Sequence, residues 1–228
     1  MSLASAVIRS AYRESQIIAI SGSPTTAETT EAIARLNSLI LSVMGSEVGQ
    51  EFNDLIIGGE FDQSPDDFAP VNTRLVLKLS AARTVKLNPY PFDGERFAVA
   101  DAGANLATYN LTLNPNGRRI EAAATLVLAT NSLARQWLYR ADTGNWVRVT
   151  DLAAADEMPF PSEFDDYFIT ALAMRLNPRH GAQMAQESAA AYKRQLSQLQ
   201  ARYRRPRPRQ DLGTLGMMGG SFGSEGLL

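Results

Sequence analysis

Apolar positions change their period twice along the chain. Over residues 2–15, Ala4, Val7, Ile8, Ala11 and Tyr12 fall on one helical stripe, and Ser21-Gly22 closes the segment. A second helix is marked by Thr25 and Glu28, which fit a capping box, with Pro24 before them and Gly45 at the far end. Within it Ile33, Leu36, Ile40 and Met44 recur at helical spacing, so one face is buried. The spacing of Val48, Phe52 and Leu55 predicts a short third helix over 46–56, followed by an acidic, turn-rich stretch.

From Val71 to Thr150 the period becomes two. Alternating runs at 73–80, 83–87, 95–101, 106–113, 124–130, 135–142 and 145–150 are separated by turn chemistry such as NPYPFDG, NPNG and DTGN. This punctuation predicts a small antiparallel sandwich or barrel. The helical period returns near Glu157. Ser162 and Asp165 can cap a helix lined by Phe164, Phe168, Leu172 and Leu176, with Asn177-Pro178 expected to stop it. A last helix from about Ala182 to Tyr203 carries Ala185, Ala189, Tyr192, Leu196, Leu199 and Tyr203 on one seam. The predicted fold is therefore α+β: a discontinuous α-helical bundle made by the two ends of the chain, interrupted by an antiparallel β-sandwich or barrel, with an extended C-terminal tail. The corresponding division is residues 1–70 and 157–205 for the helical domain, 71–156 for the inserted β-domain and 206–228 for the tail.

Charge sharpens this picture. The 228 residues carry a net charge of −2, which argues against a chain whose main business is coating nucleic acid. The charge is segregated, however. Between Gly45 and Asn72 stand seven acids (Glu47, Glu51, Asp54, Glu60, Asp62, Asp66 and Asp67) and no base, whereas Arg202–Arg209 holds five arginines and no acid. Of the 22 basic residues only Lys78, Lys86 and Lys193 are lysines. Arginine favours forked hydrogen bonds and is enriched at protein interfaces, although a GC-rich genome gives the same bias. There is no cysteine, which removes thiol catalysis, zinc–thiolate sites and disulfides. With no apolar run of membrane-spanning length, the chain reads as soluble, without an export signal or membrane binding.

Candidate chemistry is sparse. His180 is the only histidine and sits at an expected helix break, where a polar turn residue belongs. Asp93-Gly94-Glu95 and Asp142-Thr143-Gly144 match turns between strands and lack the alternating ligands of a calcium loop. Glu163, Asp165 and Asp166 fall in a first helical turn, where negative charge complements the dipole. Trp137, Tyr139 and Trp146 would stack on sugars if exposed, but alternation puts Trp137 and Tyr139 on one face and favours a core or inter-subunit contact. Nothing resembles a phosphate-binding glycine loop. No catalytic, metal or cofactor site is expected. The candidate partner-binding residues are Arg202, Arg204, Arg205, Arg207 and Arg209, followed by Met217, Met218, Phe222, Leu227 and Leu228 in a glycine-rich string. Arginines and prolines would span a surface, and the apolar residues would anchor in its pockets.

Two stretches carry a family resemblance. The segment from Asp93-Gly94 through Asn105-Leu106-Ala107-Thr108 and Gly117 to Gly144, Asn145 and Trp146 resembles a module recurrent in tail and neck proteins of tailed bacteriophages. The segment DEMPFPSEFDDYFITALAMRLNPRHG, with the helix after it, resembles the C-terminal half of head-to-tail adaptor (tail tubular) proteins of short-tailed phages, and Ala32, Leu36, Asn37 and Ile40 fit their opening helix. The Gly/Met tail matches no motif of that family. The resemblance implies a structural virion protein of the neck, assembled in the host cytoplasm and without catalysis. It would form a homo-oligomeric ring, typically of about twelve copies, between the portal protein and the tail nozzle protein, and would continue the DNA channel with at most non-specific contacts to lumenal DNA. The alternative expectation is a tail or fibre component whose β-domain binds host carbohydrate.

Overall fold

The computed structural model describes residues 2–46, 51–180 and 186–203. Helix α1 (Ala4–Glu14) buries the five stripe residues expected of it. It ends where the Ser15 hydroxyl donates to the Ala11 carbonyl oxygen (2.9 Å) and Gln16 turns to a positive φ of 58°. Helix α2 (Thr26–Ser46) begins with a reciprocal capping box: the Thr25 amide donates to Glu28 Oε2 (2.7 Å), and the Glu28 amide donates to Thr25 Oγ1 (3.3 Å). After the β-region, a 3-10 turn (Ser162–Phe164) leads into α3 (Asp165–His180), and α4 (Gln186–Tyr203) closes the described chain. Helix α3 packs against α1, α2 and α4. Ser162 lies inside the 3-10 turn, whose N-cap is Pro161 without a side-chain cap. Asn177-Pro178 does not stop α3, which runs on to His180. Proline already has a helical φ, and so close to the end of a helix its ring forfeits only one backbone bond.

Among the described residues nine strands follow α2: β1 (Asn53–Ile57), β2 (Thr73–Leu77), β3 (Arg83–Lys86), β4 (Arg96–Asp101), β5 (Leu111–Asn114), β6 (Arg119–Ile120), β7 (Leu126–Leu128), β8 (Ala134–Arg140) and β9 (Asn145–Arg148). Six form one sheet in the order β1-β2-β4-β8-β9-β6, and three form a second in the order β3-β5-β7. The pairs β1–β2, β2–β4, β3–β5 and β6–β9 are parallel; only β4–β8, β5–β7 and β8–β9 are antiparallel. The chain alternates between the sheets from β2 through β7, so β4 lies beside β2, β5 beside β3 and β7 beside β5, whereas β6 crosses to pair with β9 at the far edge.

This solenoid-like coil overturns the expected helical bundle with an inserted antiparallel sandwich or barrel. The alternation that signals a strand sorts side chains by face and carries no information about direction, so parallel pairing is invisible to it. The helices also do not close a core on themselves. Leu138 of β8 and Val149 just beyond β9 join Ile8, Leu36, Ile40, Phe160, Phe168 and Leu172 in the helical core. The expected third helix over 46–56 is corrected in its described part. Residues 53–57 form β1 instead, paired with β2 in a register running from Asn53↔Thr73 to Ile57↔Leu77.

Strand β8 divides the two cores. Trp137 and Tyr139 face the coil, where Phe97 and Trp146 stack with them at ring-centroid distances of 5.3–6.2 Å. Leu138 faces the helices, and so does Arg140, whose side chain is only 3% exposed. Its guanidinium forks onto Asp142 (3.1 and 2.6 Å) and donates to Glu157 Oε1 (2.5 Å) and the Met158 carbonyl oxygen (3.2 Å). It thereby ties the β8–β9 hairpin to the segment that enters α3. Asn37 of α2 adds a second tie, exchanging two hydrogen bonds with the Leu152 backbone (3.1 and 2.9 Å).

Arg140→Ala would leave Asp142 and Glu157 without their counter-charge. Both carboxylates keep some contact with water, so the expected loss is about 3 kcal/mol, measured by urea unfolding. The hydrogen bonds from Arg140 hold the Asp142 carboxyl below its ordinary value of 3.8. A lowered pKa contributes stability above the unfolded value and loses it as pH falls through the folded one. The gap between wild type and Arg140→Ala is therefore expected to narrow as pH drops below about 4.

Candidate functional site

Arg202, the first of the candidate tail residues, lies in the last turn of α4 and is engaged within the chain. Its Nε donates to Asp93 Oδ2 (3.0 Å), and Nη1 pairs with Glu163. Asp93 in turn accepts the Ala141 amide through Oδ1 (2.9 Å), so one turn carboxylate links β8 to α4. The next residue, Tyr203, packs its ring on Phe160 (5.6 Å between centroids) and Phe164 (6.0 Å). It also packs against Gly94, where φ is +86° and an added Cβ would come within 2.6 Å of the Tyr203 ring. Burial pushes the Tyr203 hydroxyl pKa up, and among the described residues this hydroxyl has no hydrogen-bond partner. The point from which the tail departs is thus seated in aromatic rings and a glycine turn. Arg204, Arg205, Arg207, Arg209, Met217, Met218, Phe222, Leu227 and Leu228 lie outside the described residues.

Other sequence candidates turn out to be structural. Glu95 is buried and accepts from Asn88 Nδ2 (3.0 Å). Asp165, raised by burial above its ordinary value, accepts from the Ser2 hydroxyl and fixes the N-terminus to the start of α3. Trp137, Tyr139 and Trp146 are 0–3% exposed, so they form core and present no stacking face. His180 ends α3, and its side chain lies outside the described residues. A cleft of about 240 Å³ is lined by Glu121, Asn145, Arg148, Asp156 and Glu157. Its carboxylates are already committed: Glu121 to Trp137 Nε1 (2.9 Å), Asp156 to Arg148 and Glu157 to Arg140. Among the described residues no cluster of three or more histidines or carboxylates could hold a metal ion, and no helix is long and apolar enough to cross a membrane.

The acidic stretch yields the most distinctive surface. Residues 58–72 fold back as a cap over one end of the coil, where β1 and β3 are outermost in their sheets. The Gln63 amide donates to the Ile56 carbonyl oxygen (2.7 Å), the Ala69 amide to that of Lys86 (2.8 Å), and Asp62 pairs with Arg83 (2.8 Å). A cleft of about 220 Å³ remains between Asp66-Asp67 and Arg83–Lys86. Phe61 is 76% exposed and Phe68 42%, so two aromatic rings stand out among carboxylates. Sequence pattern signalled the charge and the Gly58-Gly59 turn. It could not show that the loop closes two sheet edges, because that depends on strand pairing between distant residues.

The chain matches no known protein family, and no curated protein matches it.

Gly94→Ala is expected to destabilise the protein by about 1–3 kcal/mol through its left-handed backbone and the clash with Tyr203. Amide exchange should rise in the last turn of α4, with β8 protected as before.

Proposed function

We propose that this protein is a structural assembly subunit, specifically a head-to-tail adaptor of a short-tailed bacteriophage that joins the portal to the tail as one copy of a ring. The observation that carries the reading is the separation of two unlike contact surfaces on one rigid scaffold. At one end of the coil, an acidic cap holds Phe61 and Phe68 exposed. Elsewhere, α4 ends in a seated Arg202-Tyr203 from which the arginine–proline segment continues in sequence. A subunit of a closed ring needs two different complementary surfaces for its neighbours, and an adaptor needs further ones for the layers above and below. The resemblance of the 93–146 and 156–181 segments to phage neck proteins supplies the biological setting. In this reading the tail is an assembly strap. Arg204, Arg205, Arg207 and Arg209 lie along a partner surface, and Met217, Met218, Phe222, Leu227 and Leu228 fill its pockets.

The test is mass measurement of the protein alone and mixed with its portal, with and without residues 206–228. The truncation keeps Arg202 and Tyr203, so its unfolding curve is expected to overlay that of the full chain. The portal complex formed by the full chain should be lost on truncation. A chain that ignores both the portal and the deletion would overturn the reading.

A further inference from the structure

The six-stranded sheet has two unlike ends. Its outermost strands, β1 and β6, are five inter-strand steps apart, about 24 Å. Beyond β1 sits the cap. Setting aside the Asp54–Arg74 and Asp62–Arg83 pairs, Glu60, Asp66 and Asp67 remain exposed around Phe61 and Phe68. Lys78 and Lys86 stand on the same end and offset part of this charge. At the other end, β6 and β7 are outermost in their sheets. Arg118 and Arg119 are exposed there and have no carboxylate partner among the described residues. Val127 of β7, the last strand of the other sheet, is 54% exposed.

Protection against edge-to-edge aggregation accounts for charges on a terminal strand or its cover. It does not account for Phe61, Phe68 and Val127, because exposed apolar side chains at sheet ends favour the pairing that charges prevent. What the two ends share is complementarity. Arginine guanidinium groups stack on aromatic rings and fork onto carboxylates, and valine offers apolar contact to the same rings.

We propose that the cap of one copy docks on the β6–β7 end of the next, with Arg118 and Arg119 entering the ring of Glu60, Asp66 and Asp67 and stacking on Phe61 and Phe68. The contact is head-to-tail, so it leaves a free cap and a free edge on every dimer and propagates until rotation closes it. The occupant of the cap is thus a second copy of this chain. The proposal rests on the reading of the chain as an assembly subunit but is independent of the portal and of residues 204–228.

Charge reversal in the full chain tests it. Asp66→Lys/Asp67→Lys makes both ends basic, and Arg118→Glu/Arg119→Glu makes both ends acidic. In sedimentation at low salt, wild type is expected to self-associate with rising concentration, and each variant to weaken this by about tenfold or more. An equal mixture of the two variants should restore it, because both inter-copy contacts then join opposite charges. Phe61→Ser, at an exposed position, should weaken association without moving the unfolding curve. A wild type that stays monomeric at every concentration would overturn the proposal. So would association indifferent to both reversals, or a mixture no more associated than either variant alone. Association that ignores these residues but is lost on deleting 206–228 would sink the cap contact and leave the assembly reading standing. Charge-dependent association with no portal binding would do the reverse.

Discussion

Everything in this protein hangs on one strand having two buried faces. β8 pairs with β4 on one side and β9 on the other, presents Trp137 and Tyr139 to the coil, and presents Leu138 and Arg140 to the helices. A strand at the rim of a sheet can leave one face in water; a central strand between two cores cannot. Burying Arg140 is the exacting part of the arrangement, since an uncompensated guanidinium at that depth would be strongly destabilising. Asp142, Glu157 and the Met158 carbonyl meet that demand and, in doing so, position the segment that launches α3. The helices and the coil therefore share one wall.

Where the sequence was legible, the cause was local. The capping box at Thr25 and Glu28, the stripe of α1 and most strand positions from β2 onward depend on a few adjacent residues and were readable from spacing, whereas the two-residue β6 was not and β5 occupies only the end of its expected run. The failures were non-local. Phe52 and Leu55 fit a helical period, yet the backbone beside them gains more from pairing with Thr73–Leu77. The coil was read as antiparallel because turn-rich links between short strands usually make hairpins, whereas here several links cross between sheets. Pro178 marked a helix end in sequence, but a helix packed along its length against three others carries a proline in its last turns.

The candidate site shows the same division. Acidic and basic runs were visible as composition, and the proposal that surfaces of opposite sign serve assembly needed only that. The arrangement of those charges came from topology. Asp93 looked like an ordinary turn aspartate, and the fold makes it the link between β8 and α4. Arg118 and Arg119 drew no notice in a strand-turn motif, and sheet order places them at the opposite extreme from the cap. A residue's role in a surface is set by its neighbours across the sheet, and those neighbours are tens of residues away.

The tie between Ser2 and Asp165 spans 163 residues, and the face of α1 that it anchors is covered largely by α3. During synthesis at about 5–20 residues per second, α1 and α2 leave the ribosome roughly seven to twenty-seven seconds before α3 exists to cover them. For that interval Ile8, Tyr12, Leu36 and Ile40 lack the cover of α3. The coil, whose strands pair within the intervening chain, can form first and offer the wall of β8 as a temporary floor. In that order the middle of the chain would serve as the scaffold on which α1, α2 and α3 complete the helical core.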